Sequence, residues 1–209
     1  MEMKNWLARC PLVAILRGVR PDEAVAIGEA LQQAGVVVVE VPLNSPDPMA
    51  SVALLAKRFG SSMLIGAGTV MDAGQVRQVA DAGGRLIVTP HVAAAVVVAA
   101  KSRGMLACPG FFTPTEAFAM LAAGADAIKL FPSEAASPAV LRAVRAVLPA
   151  GAMVLPVGGV DAGNIAAWRA AGAAGFGIGS AIYRPGDTAA VVAGKAAALV
   201  AALAAPAQS

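Results

Sequence analysis

The feature that most constrains this chain is a regular alternation of short Val, Ile and Leu runs with longer alanine-rich stretches, repeated to its end. Eight such runs read as strands, over 12–16, 36–42, 63–66, 85–89, 106–109, 127–131, 153–157 and 175–178. They are continuous apolar runs, and this is how parallel strands covered on both faces read. The intervening stretches carry helix signals, for instance over 21–34, 72–82, 114–123 and 137–147. Pro21 with Asp22 and Glu23, and Pro114 with Thr115 and Glu116, place a proline and an acid in the first turn. Gly35, Gly60, Gly83, Gly104, Gly124 and Gly172 mark helix ends.

Strict strand–helix alternation leads either to an open doubly wound sheet or to a closed barrel. Neither Gly66 to Met71 nor Gly177 to Ile182 spells the Gly-x-Gly-x-x-Gly of a dinucleotide fold. Eight units in 209 residues predict a compact (β/α)8 TIM barrel of α/β class. The expectation is a single domain over 1–209, with 1–10 as a capping segment containing a short helix over 3–9. A closing helix is expected over 188–205, and 206–209 reads as a tail.

Composition removes several classes. With 58% hydrophobic and only 14% charged residues, the chain is too apolar for disorder. Its apolar runs, such as 36–39 and 92–100, fall far short of the roughly 20 residues that span a bilayer. No basic segment followed by an apolar one opens the chain, so a cytoplasmic enzyme is expected, with no membrane partner. A net charge of +3 spread without basic runs gives no nucleic-acid footprint. Cys10 and Cys108 lack metal-ligand or disulfide spacing; Cys108 reads as a buried apolar residue.

In so apolar a chain, three charges at strand ends stand out, because barrel active sites form at the carboxyl ends of the strands. Lys129 lies in Ala127 to Pro132 with no neighbouring charge. Desolvation favours its neutral amine, which can attack a ketone and form a Schiff base; a lysine that snorkels to solvent is the structural alternative. Glu40 follows four valines and suits a general acid/base of raised pKa. An ion pair with Lys129 or Arg17 would equally place it there. Arg17, after Val13 to Leu16, suits a substrate carboxylate or phosphate, or is a plain loop arginine.

Glycines form a second group. Gly158 and Gly159 end the seventh run, and Gly179 with Ser180 ends the eighth, where barrels often hold phosphate on bare backbone N–H groups. Gly66, Ala67, Gly68 and Thr69 offer a further anion seat after the third run. Tight turns alone would also use glycine. The single histidine, His91, after Thr89 and Pro90, reads as a mouth-lining residue and cannot supply the imidazoles of a metal-dependent aldolase. No metal or organic cofactor is expected. A phosphosugar epimerase and a non-catalytic sugar-phosphate sensor are the rival readings.

Ala14 to Gly18, Glu40 to Ser45, Ile65 to Val70, Cys108 to Gly110, Ile128 to Pro132 and Val157 to Val160 together resemble the KDPG/KHG aldolase family. These are class I aldolases that cleave 2-keto-3-deoxy-6-phosphosugar acids. The resemblance implies Schiff-base formation at Lys129 and proton shuttling by Glu40. It implies substrate contacts from Arg17, Thr69, Pro90 and Val157, and a phosphate held by Gly158, Gly159, Gly179 and Ser180. It also implies a homotrimer. Gluconate-cleaving members show Thr-Leu-Arg-Thr after the catalytic glutamate and Thr before the paired glycines, where this chain has Pro42 to Ser45 and Val157. That departure resembles the galactonate branch, with the gluconate or 4-hydroxy-2-oxoglutarate activity as the alternative.

Overall fold

The computed structural model describes residues 2–204; Ala205 of the expected closing helix and the expected tail at 206–209 lie outside the described residues. The apolar runs become nine parallel strands: β1 (Leu12–Ile15), β2 (Val38–Pro42), β3 (Leu64–Gly68), β4 (Leu86–Val88), β5 (Leu106–Cys108), β6 (Gly110–Phe111), β7 (Ile128–Leu130), β8 (Val154–Pro156) and β9 (Phe176–Ile178). Every residue in these strands is buried, which explains why they read as unbroken apolar runs.

The strands form a six-stranded sheet in the order β5-β4-β3-β2-β1-β9 and a three-stranded sheet, β6-β7-β8. Nine strands stand where eight were expected because Pro109 lies between β5 and β6, and its missing N–H interrupts the ladder. A parallel bridge between Val157 and Gly177 joins the end of β8 to β9. Across the other junction the Lys129 N–H donates to the Pro109 carbonyl at 2.8 Å. The fold is therefore α/β with parallel sheets.

Helices α1 (Met3–Arg9), α2 (Pro21–Gln33), α3 (Pro48–Phe59), α4 (Ala73–Asp81), α5 (Ala94–Ser102), α6 (Pro114–Ala122), α7 (Pro138–Arg145), α8 (Ile165–Ala170) and α9 (Ala189–Ala204) fill the connections. The proline-acid signals are helix starts. In α6 the Glu116 N–H donates to Thr113 Oγ1 at 3.4 Å while Glu116 Oε2 accepts from the Thr113 N–H at 2.8 Å, a reciprocal capping box. Five of the six glycine stops adopt left-handed φ between 68° and 96°. Gly60 does not; its φ is −59°, and it ends α3 in ordinary helical geometry. Met3, Trp6 and Leu7 of α1 are buried, as a capping helix requires.

Candidate active site

Among the described residues, the buried charged side chains are Glu40, 2% exposed, and Lys129, 5% exposed. Both face the interior from the sheet, Glu40 from β2 and Lys129 from β7. Their register neighbours leave room for them. Glu40 pairs with Gly66 on β3 and Pro42 with Gly68, so Gly66 and Gly68 share the face on which Glu40 projects. A Cβ on Gly68 would overlap the Glu40 carboxylate. Gly68 thus makes space for the acid, whereas a Cβ on Gly66 would meet Leu86 of β4.

Neither group is neutralised by contact. Glu40 forms no salt bridge among the described residues, and its buried Oε2 lacks a hydrogen-bond partner. Burial raises its carboxyl to about 7, against the pull of the Lys129 and Arg17 charges. For Lys129 burial again dominates and lowers the ammonium pKa, with the Glu40 charge opposing it. Its Nζ lies 4.5 Å from the centre of the Phe131 ring. The ion-pair alternative for Glu40 is thereby replaced by a carboxyl and an amine that influence each other through a poorly solvated space. Cys108 beside them is buried, its thiol pushed up to about 12 by desolvation.

Lys129 borders two spaces. Below it, a void of about 10 Å³ is lined by Glu40, Cys108, Val157 and apolar side chains. Above it opens a cavity of about 360 Å³ whose wall includes Arg17, Lys129, Phe131, Val157, Gly158, Gly159, Gly179 and Ser180. This cavity brings together Lys129, the β1-end arginine and all four predicted phosphate residues. Gly158 and Gly159 carry φ of 106° and 65°, which side chains with a Cβ adopt only at a cost. Arg17 donates from Nη1 to Asn44 Oδ1 at 2.8 Å, and the Gly18 N–H donates to Ser45 Oγ at 2.9 Å. The two loops that follow β1 and β2 are thus latched together.

Thr69 and Pro90 are not among the residues that line the cavity. Thr69 is half-buried at the end of β3 with a left-handed φ of 55°, an unusual state for a non-glycine residue. Pro90 and His91 line a neighbouring depression with Phe111, Phe112 and Glu116, and Phe131 is shared by both spaces. Three further polar lining residues were not singled out by the sequence: Glu134, Tyr183 and Arg184. Glu134 belongs to a 3-10 turn, Ser133–Ala135, and its carboxylate packs on Gly158, where a Cβ would overlap it. The Tyr183 hydroxyl donates to Glu23 Oε1 at 2.9 Å. The signal for Glu134 is its place two residues beyond the Lys129 to Pro132 run.

The family described as "KDPG and KHG aldolase" matches residues 3–193. The chain belongs to this aldolase family. It is 47% identical to the 2-dehydro-3-deoxy-6-phosphogalactonate aldolase of Escherichia coli (strain K12), over 94% of this chain and 96% of that one. A probable 2-dehydro-3-deoxy-6-phosphogalactonate aldolase of Rhizobium meliloti (strain 1021) is also 47% identical, over 92% and 91%. A solved structure described as "Native KDPGal structure" superposes with a TM-score of 0.92 at 47% identity, covering 93% of this chain and 95% of that one. The aldolase therefore has lyase chemistry and the parallel α/β fold of its family. Among the described residues no helix is long and apolar enough to cross a membrane.

Proposed function

We propose that the aldolase cleaves 2-dehydro-3-deoxy-6-phosphogalactonate to pyruvate and D-glyceraldehyde 3-phosphate through a Schiff base on Lys129. The observation that carries this reading is a buried, desolvated lysine that borders the large cavity on one side and, on the other, a small void shared with a buried carboxyl of pKa about 7. The neutral Nζ attacks the C2 ketone, and Glu40 in its acid form protonates the departing hydroxyl as the imine forms. Glu40, now a carboxylate, or water it holds, takes the C4 hydroxyl proton; the C3–C4 bond breaks, C4 leaves as the aldehyde of glyceraldehyde 3-phosphate, and the electron pair moves into the iminium to give an enamine. Glu40, or water it holds, returns a proton to C3, and hydrolysis releases pyruvate. A carboxyl near pKa 7 can serve in both directions at neutral pH.

In this reading Arg17 and Thr69 take the substrate carboxylate end, Pro90 and Val157 shape the pocket, and Gly158, Gly159, Gly179 and Ser180 hold the phosphate. No metal or organic cofactor enters the steps. Two relatives at 47% identity that bear the galactonate name support the choice of epimer, as does the apolar Val157 in place of a hydroxyl. The two sheets, read with the Pro109 junction and the Val157–Gly177 bridge, support one closed eight-unit barrel forming a single domain. The expected setting is a cytoplasmic homotrimer.

The deciding experiment is borohydride reduction with pyruvate. A mass increase is expected on the peptide that carries Lys129, absent in Lys129→Ala; an adduct that survives in the variant refutes the mechanism. Activity is expected to persist after chelator treatment. Pyruvate release, read with coupled lactate dehydrogenase, should be faster from the galactonate substrate than from its gluconate epimer, and equal rates would reject the epimer assignment alone.

A further inference from the structure

We infer that Arg184 is the ion partner of the substrate's phosphate and so a specificity residue of this aldolase. The inference rests on the aldolase reading above and extends it to a residue outside the glycine set. Arg184 lies in the loop after β9 and lines the same cavity as Ser180 and the paired glycines. Its backbone is fixed by a tight turn: the Arg184 N–H donates to Asp187 Oδ2 at 2.8 Å, and the Asp187 N–H returns to the Arg184 carbonyl at 2.9 Å. Lys195 in turn holds the Asp187 carboxylate. The guanidinium is anchored by one nitrogen, Nε donating to the Ser180 carbonyl at 3.1 Å.

Both terminal nitrogens are left without a hydrogen bond or ion pair among the described residues. Arg77, Arg103 and Arg142 are also unpaired, but they are exposed and outside the cavity wall; several other arginines are taken up by partners. Arg20 meets Asp22 and Glu23, Arg58 meets Glu29, and Arg85 and Arg145 donate to main-chain carbonyls. An arginine oriented through Nε, with its fork free at a cavity rim, is preorganised for a bidentate anion.

Charge arithmetic in the wall points the same way. The cationic side chains there are Arg17, Lys129 and Arg184, and the carboxylate is Glu134. Lys129 stands at the substrate's keto carbon in the aldolase reading, and Arg17 leans toward Asn44 on the β2 side. Without Arg184, the charged group nearest the paired glycines is the Glu134 carboxylate. A phosphate dianion would then meet neutral N–H donors and a like charge. Arg184 reverses the sign of that end of the cavity.

The test compares Arg184→Ala with the wild type on the 6-phosphorylated 2-keto-3-deoxygalactonate and on its unphosphorylated counterpart. A lost charge-assisted contact lowers kcat/KM for the phosphorylated substrate by roughly 10- to 100-fold, while the unphosphorylated substrate changes by less than about threefold. Equal losses on both substrates, or no loss on either, would overturn the assignment. Borohydride trapping with pyruvate, which carries no phosphate, should proceed alike in wild type and variant. Failure of trapping in the wild type would instead refute the aldolase mechanism itself, so the two failures are separable.

Discussion

Glu40 illustrates how a single side chain trades stability for function. Its carboxyl is neutral in the unfolded chain only below about 4.3 but holds its proton to about 7 when folded. The folded state thus prefers the protonated acid, and ionisation costs stability as pH rises between those values, reaching roughly 4 kcal/mol above pH 7. Glu40→Gln removes this cost. Its thermal midpoint should exceed the wild type's by a margin that is small at pH 5 and larger at pH 8; an equal margin at both would show that burial does not govern the group. The same variant should lose kcat by about 10² to 10⁴-fold while Lys129 still traps pyruvate. Gly68→Ala should mimic part of this loss, since its methyl displaces the Glu40 carboxylate, and it should shift the limb of the pH–rate profile that follows Glu40. An unaltered profile would show that the acid finds another seat. Arg17, Glu40 and Lys129 were legible in the sequence because a charge at the end of an apolar strand has few structural reasons to be there. Glu134 and Arg184 were not, since an acid in a short turn and an arginine in a surface loop look like any solvated side chain.

At the scale of elements, the 3-10 turn after β7 does the positioning. Ser133 is buried, and its hydroxyl donates to the Leu130 carbonyl at 2.9 Å while accepting the Val157 N–H at 2.8 Å. The Ser133 N–H also donates to the Val157 carbonyl at 2.9 Å. One side chain thus ties the strand that carries Lys129 to the strand end that leads into Gly158 and Gly159. Ser133→Ala removes both hydroxyl bonds, but the Val157 N–H still donates to the Leu130 carbonyl at 3.0 Å, so neither group is left unpaired and the cost is about 0.5–1.5 kcal/mol. Denaturant midpoints should fall accordingly, and KM for the phosphorylated substrate should rise more than kcat falls. A variant with wild-type KM would mean that the glycine loop keeps its shape without the tie. The alternation of elements was plain in the sequence because strands buried on both faces leave continuous apolar runs. The break at Pro109 was less plain: the 106–109 run ends on the proline, and only the sheet shows that the chain resumes as β6 beyond it. Gly60 likewise looked like the other helix stops, yet helical φ ends α3 without the left-handed turn that glycine permits.

For the whole molecule, the scarcity of charge that exposes the site also shapes how a substrate reaches it. A net charge of +3 gives a weakly attractive field for an anionic sugar acid, and the cavity concentrates it, with Arg17 and Arg184 in its wall and Glu134 as the opposing group. Screening separates these contributions. The Debye length falls from about 30 Å at 0.01 M salt to about 8 Å at 0.15 M, so kcat/KM for the phosphorylated substrate should decline over that range, and more steeply than for the unphosphorylated one. Glu134→Gln removes the like charge packed on Gly158 and should lower KM for the phosphorylated substrate a few-fold, with the gain largest at low salt because Glu134 is exposed. The unphosphorylated substrate should gain little, since its end of the chain carries no charge for Glu134 to repel. If Glu134→Gln improves both substrates equally, the carboxylate acts on the shape of the glycine loop and not on the phosphate. If it weakens the phosphorylated substrate, Glu134 accepts a hydrogen bond from the bound sugar acid, and the cavity's selectivity for phosphate then falls to Arg184 and the backbone N–H groups alone.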